Sequence, residues 1–180
     1  MAYAAEPVLP NRLRAPFRAR PFHVVLVEPE IPPNTGNVAR LCAATGCPLH
    51  LVGQLGFSID AHAVRRAGLD YWPLVEVRTH RDLEAAEASI RELAAPATPR
   101  TWLLSGKARR SYLDVAFAEG DALVFGKESV GLPDELLEAR ADTVIGIPTL
   151  GEVRSLNLAN SVAIVVYEAL RQLGALRVGE

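Results

Sequence analysis

The sequence predicts an α/β protein: a parallel sheet flanked by helices. Three observations lead there. Short apolar runs alternate with helical stretches along the chain, the order produced when crossover helices join parallel strands. The first run, Phe22 to Val27, is apolar except for His23, as a strand buried on both faces should be. The segments rich in glycine, proline and amides follow strands, at 32–37, 105–107, 126–133 and 148–157. They lie far apart in the chain, yet in a parallel sheet they share the carboxyl edge, where ligands bind.

The elements read in order as follows. After the first strand, Glu28-Pro29 closes the run and Pro32-Pro33-Asn34-Thr35-Gly36-Asn37 reads as a rigid loop. Two prolines fix its entry, and Gly36 permits a positive φ. Asn37 then caps a helix from Val38 to Thr45 that stops at Gly46, which places Arg40 in its first turns. Pro48 to Val52 is a second strand, and Asp60 to Ala67 a helix. Asp70-Tyr71-Trp72-Pro73 makes a turn, Leu74 to Val77 a strand, and Arg81 to Ala95 a helix with Glu84, Glu87, Arg91 and Glu92 on its solvated face. Strands follow at Trp102 to Leu104, Ala122 to Phe125 and Thr143 to Ile147. Pro133 suits a first helical turn, and Asp134 and Glu135 complement the helix dipole. The last and longest helix runs on to Gly174, with Ser155 or Asn157 as its cap. Its apolar set (Leu158, Ala159, Val162, Ala163, Ile164, Val165, Val166, Ala169 and Leu170) is too wide for one face of a surface helix. Either a deep core or a second subunit can cover the surplus; the pattern by itself favours a core.

Composition narrows the class. The 180 residues fit a single domain over 22–180 behind a flexible extension, 1–21, that holds four prolines and no signal-peptide core. Cys42 and Cys47 match no zinc pattern and read as reduced thiols of a cytoplasmic protein. No apolar run reaches the length of a membrane span. The formal net charge of -2 gives no bulk support to nucleic-acid binding, although basic clusters occur at Arg12 to Arg20, Arg65-Arg66 and Lys107 to Arg110.

Familiar catalytic fingerprints are absent from the sequence. It contains neither a P-loop nor a Gly-x-Gly-x-x-Gly after the first strand, and no nucleophile elbow. His23, His50, His62 and His80 show no metal-ligand spacing, and His23 reads as structural. A polar set remains: Asn34, Asn37, Arg40, Glu128, Ser155, Asn157 and Asn160. Amides, a hydroxyl, one carboxylate and one guanidinium suit the alignment of two substrates, and transfer from an activated donor needs mainly alignment.

Three motifs now fall in line: Pro32-Pro33-Asn34-Thr35-Gly36-Asn37 with Arg40; Phe125-Gly126-x-Glu128-x-x-Gly131-Leu132-Pro133; and Ile147-Pro148 with Arg154-Ser155-Leu156-Asn157-Leu158. Together they resemble the SPOUT superfamily of RNA methyltransferases over residues 22 to 174. Val27 to Asn37 and Arg65 to Tyr71 resemble its TrmL-like branch of tRNA (cytidine/uridine-2′-O)-methyltransferases. The resemblance implies a C-terminal trefoil knot over about residues 100–174, a homodimer using the last helix, and S-adenosyl-L-methionine as cofactor. It implies a pocket lined by Leu104, Gly126, Ile147, Ser155 and Leu156. Its substrate would be the wobble ribose of a tRNA anticodon stem-loop; the alternatives are another RNA position or an inactive RNA-binding module. Arg40, Asn34, Glu128 and Asn157 become the catalytic candidates. Arg40 either assists removal of the 2′-hydroxyl proton or, because guanidinium stays protonated, holds phosphate and stabilises the forming alkoxide. Glu128 would orient Arg40 or Asn34. Lys107, Arg109, Arg110 and Arg154 are candidate phosphate contacts or ordinary solvated charges, with no separate RNA-binding domain to help.

Overall fold

The computed structural model describes residues 13–56, 72–94 and 97–178. Expectations for 60–67, for Arg65-Arg66 and for Asp70-Tyr71 lie outside them. Among the described residues six strands form one sheet: β1 His23–Val27, β2 Leu49–Val52, β3 Val77–His80, β4 Thr101–Leu104, β5 Ala122–Phe125 and β6 Val144–Ile145. Every pairing is parallel, in the order β3-β2-β1-β5-β4-β6. The strand order reverses between β1 and β5, which makes the crevice beyond their carboxyl ends the natural binding position.

Helices cover both faces: α1 Pro32–Thr45, α2 Leu83–Ala94, α3 Asp134–Ala139 and α4 Leu158–Gln172. One core joins alternate residues of the central strands (Val24, Leu26, Leu49, Leu51, Leu123, Phe125) to α1 and α4. The other joins Val25, Leu103 and Val124 to Ala86 and Ile90 of α2 and Leu137 of α3. Burying one such aliphatic side chain fully contributes about 1.5–3 kcal/mol.

Four boundaries differ from the sequence reading, each for a local reason. Helix α1 begins at Pro32, with both prolines in its first turn and no side-chain cap on it. A first-turn N–H has no intrahelical partner, so proline loses nothing there and its φ is already helical. The apparent loop is therefore helix; Gly36 is helical and buried, and Asn37 is not a cap. Arg40 then sits about 12 Å along the axis from Pro32 rather than in the first turns. Strand β3 starts at Val77, after a 3-10 turn at Trp72–Leu74. As an edge strand it carries Arg78 and His80, whose polarity hid it from an apolar search. Strand β6 has only two residues, because Gly146 bonds instead to the loop below it: its N–H to Arg110 and its C=O to Tyr112. Helix α2 begins at Leu83, where an Asp82 carboxylate oxygen accepts from the Ala85 N–H at 2.8 Å.

The last helix matches expectation at both ends. Asn157, not Ser155, caps it by accepting from the N–H groups of Ala159 and Asn160, and Gly174 follows with φ 66°. Val162, Val165, Val166 and Ala169 are fully buried, whereas Ile164 and Tyr167 are 36% and 49% exposed. Between β6 and α4 the chain leaves an edge strand, passes with the Arg154 carbonyl over Gly106, and returns to lie against α1 and β5.

Two features lie away from this edge. Residues 18–20 lie at the amino ends of the strands: Arg18 pairs with Glu119 at 3.0 Å, Arg20 with Glu76 at 2.9 Å, and the Arg20 N–H donates to the Gly46 carbonyl. Across β1, β2 and β3 runs a chain of imidazoles, His23 Nδ1 to His50 Nε2 at 3.0 Å and His50 Nδ1 to His80 Nε2 at 2.9 Å. Burial lowers the His23 pKa to about 4 and, with help from the neighbouring rings, that of His50 to about 3. His80 is lowered too, by burial and then by Arg78. His23 is thus structural, as expected. Cys42 and Cys47 are buried free thiols whose pKa values burial raises.

Candidate active site

The β1–α1 junction and the loop after β5 meet at the reversal of strand order. Glu128 reaches across it. Its carboxylate accepts from the Glu30 N–H at 2.8 Å, the Ile31 N–H at 3.3 Å and the Asn34 amide at 2.9 Å. The two N–H groups lie just ahead of α1 and Asn34 lies in its first turn, so the carboxylate supplies the acceptor that α1 lacks at its own start. Partial burial pushes the Glu128 pKa up, but the donors of Asn34, Glu30 and Ile31 outweigh it and hold the carboxyl below its usual range. It is a carboxylate at neutral pH.

That charge fixes everything beyond it. A carboxylate only accepts, so Asn34 must turn its NH₂ toward Glu128. The Asn34 oxygen then faces away and accepts from the Asn157 NH₂ at 2.9 Å. The Asn157 oxygen is left to cap α4, at 2.9 Å from the Ala159 nitrogen. The line Glu128–Asn34–Asn157 thus joins the β5 loop, α1 and α4 with one polarity throughout. Asn34 is 7% exposed, so its orientation is locked by packing as well. Three of the four catalytic candidates meet here. The fourth, Arg40, is exposed on α1. Glu128 bonds Asn34, one of its two expected partners.

The pocket candidates gather on the neighbouring strands. Leu104 ends β4 and pairs in register with Phe125 and Ile145, so Gly126 and Ile147 follow on the same edge. Ser155 and Leu156 stand immediately before the α4 cap. A Cβ on Gly126 would lie 2.1 Å from the Gly131 carbonyl carbon and 2.3 Å from the Leu132 nitrogen, an overlap of backbone that nothing can relieve. Gly131 itself has φ 78°, and its N–H closes the turn onto the Lys127 carbonyl at 2.8 Å. Gly146 was missed by sequence reasoning: a Cβ there would sit 2.7 Å from the Ser105 carbonyl oxygen. Only the fold brings these loops together, so a lone glycine in a strand gave no signal. Leu104, Gly126, Ile147 and Leu156 are small or apolar residue types beside exposed backbone, which would suit an adenosine-bearing ligand held by main-chain hydrogen bonds. Among the described residues no cluster of His, Cys, Asp or Glu is arranged to hold a metal.

Of the phosphate candidates, Lys107 pairs with Asp134 at 2.5 Å on the surface. Arg110 donates to the Asp114 carbonyl at 3.1 Å and lies over the Trp102 ring. Arg109 and Arg154 are exposed.

The open parallel sheet, with its polar line at the carboxyl edge beyond the strand reversal, is an α/β fold that places its ligand there. The chain belongs to the SpoU rRNA Methylase family, whose model matches residues 21–167. It is 49% identical over 154 residues to a tRNA (cytidine(34)-2′-O)-methyltransferase of Saccharophagus degradans, covering 85% of this chain and 96% of that one. A solved structure described as giving insights into the 2-OH methylation of C/U34 on tRNA is 48% identical, with a TM-score of 0.74, over 85% of this chain and 96% of that one. An AdoMet-bound rRNA methyltransferase from Sinorhizobium meliloti is 26% identical, with a TM-score of 0.69, over 87% of this chain and 58% of that one. The fold is thus that of the SPOUT methyltransferases.

Proposed function

We propose that this chain is an S-adenosyl-L-methionine-dependent methyltransferase that acts on the 2′-hydroxyl of nucleotide 34, cytidine or uridine, in the tRNA anticodon loop. The observation that carries the reading is the polarised line Glu128–Asn34–Asn157, at the carboxyl edge of the sheet in a chain nearly half identical to tRNA (cytidine(34)-2′-O)-methyltransferases. The donor supplies an electrophilic methyl group on a sulfonium. Leu104, Gly126, Ile147, Ser155 and Leu156 hold it through backbone groups and apolar contact. Asn34, Asn157 and Arg40 face the RNA side. The ribose oxygen takes the methyl carbon of the bound donor as the carbon–sulfur bond breaks and S-adenosylhomocysteine leaves, with the hydroxyl proton passing to water, so charge on that oxygen is what the protein must manage. Arg40, a permanent cation, stabilises it and holds the adjoining phosphate. Oriented amides fix the ribose, and alignment of the two reactants supplies much of the rate.

The protein works as a homodimer in the cytoplasm. The exposed Ile164 and Tyr167 on α4 support an interface there, and no described helix is long and apolar enough to cross a membrane.

Purified protein incubated with S-adenosylmethionine and unmodified tRNA should yield 2′-O-methylated nucleotide 34 by nucleoside mass spectrometry. No product, or product only on ribosomal RNA, overturns the substrate assignment. Arg40→Ala should cut turnover by about 100-fold or more while donor affinity holds, the loss expected for a group acting on developing charge. Light scattering that finds an active monomer removes the dimer from the reading.

A further inference from the structure

The two loops that meet at the strand reversal exchange more than the Glu128 contacts. Glu30, on the β1 side, accepts from the Ser129 N–H at 3.0 Å through one carboxylate oxygen and from the Ser129 hydroxyl at 2.9 Å through the other. Two residues earlier, Glu28 takes a 2.7 Å ion pair from Lys127. Glu28 holds φ 47°, a left-handed conformation that a side chain rarely adopts. Its stem packs where a Cβ on Gly53 would come within 2.9 Å. From that left-handed position the Glu28 carboxylate reaches Lys127 of the β5 loop.

The exchange is reciprocal, but its halves serve different sides. Glu128 binds the main chain of Glu30 and Ile31 and sets the Asn34–Asn157 line. Among the described residues, the Glu30 carboxylate bonds Ser129, in the tip of the β5 loop, residues 127–131. The base of that tip is fixed by the backbone crossing of Gly126 over Gly131. At its apex Ser129 and Val130 are exposed, and the Glu30 carboxylate is what Ser129 bonds to. Removing the Glu30 side chain leaves the Glu30 N–H, and hence the Glu128 line, in place.

We propose that Glu30 is a positioning residue for the methyl donor: it sits on the RNA-facing loop but holds the apex of the donor loop closed. The inference rests on the methyltransferase reading above. Glu30→Ala should raise KM for S-adenosylmethionine, and Kd for S-adenosylhomocysteine by calorimetry, by about five- to tenfold, as expected for two charge-assisted bonds at a wet surface. KM for an anticodon stem-loop RNA should stay put. Glu30→Gln, with one acceptor oxygen left, should fall between. Ser129→Ala should show a smaller rise that disappears in the Glu30→Ala background, because the two share one interaction. Unchanged donor affinity in Glu30→Ala overturns the proposal. So does a parallel rise in both KM values with a lower thermal midpoint, which would mark general loosening. Wild-type protein that binds no S-adenosylhomocysteine overturns the donor reading and this inference together; wild-type binding with an unaltered Glu30→Ala overturns this inference alone.

Discussion

Two hydrogen-bonded lines of three side chains do different work in this molecule. His23–His50–His80 crosses three neighbouring strands inside the sheet. Glu128–Asn34–Asn157 crosses a loop and two helices at its edge. Both satisfy polar groups that burial would otherwise penalise. The difference is the charge at one end. Neutral imidazoles can be donors in either direction, so the histidine line has two equivalent tautomeric senses and recognises nothing outside itself. The edge line starts at a carboxylate, which can only accept, so each amide beyond it has one allowed orientation. A fixed polarity is what a binding site requires; a satisfied core does not need one.

The comparison can be broken at several points. The largest effect should come from the backbone under the edge line: Gly126→Ala forces an overlap with Gly131 and Leu132, and donor binding by calorimetry should be lost. Next is acid. His23 and His50 have folded pKa values of about 4 and about 3, below the usual 6.5. Between those values the unfolded chain binds protons that the native chain does not, so stability is full above 6.5 and falls as pH drops. Denaturant titrations at pH 7.5 and 5 should differ by about 2–4 kcal/mol from these two groups. His50→Gln should flatten that slope, and an unchanged slope would remove the histidine line as its source.

Glu128→Gln keeps the shape but replaces one acceptor by a donor, freeing Asn34 to flip. Turnover should fall by about 10- to 100-fold with a modest change in donor affinity, the signature of lost alignment. Smallest is Asn157→Asp. The cap oxygen survives, so the thermal midpoint should hold, while the donor to Asn34 is gone and turnover should drop by about tenfold. Asn157→Ala should lose both, with about 1 kcal/mol of stability. Equal stability in the two variants would mean that the cap is not the residue's structural function.

Much of this was legible in the sequence. Runs apolar except for His23 gave β1 and β5 within a residue, because a strand buried on both faces is built mainly of apolar side chains. Gly46 and Gly174 marked helix ends, because a left-handed φ is a local demand that one residue type meets best. The motifs placed Asn34, Glu128 and Asn157 on one edge. Other features were hidden. Pro32-Pro33 reads equally as loop or as a first helical turn, since proline suits both. β3 was displaced because an edge strand need not be apolar. The histidine line left no trace, because its members are 27 and 30 residues apart and meet only through strand register.

The sequence by itself thus determined the class of fold, the edge that carries the chemistry and the residue types gathered there. These follow from local conformational preference and from burial, which act on neighbours in the chain. Only the tertiary structure decided which groups pair. Glu128 and Asn34 are 94 residues apart, and Asn34 and Asn157 are 123 apart. Their hydrogen bonds depend on distances of a few tenths of an ångström, set by strand order, by the close crossing at Gly126 and by the return of α4 over α1. No local rule contains that information, because it belongs to how the loops pack and not to what each loop is made of.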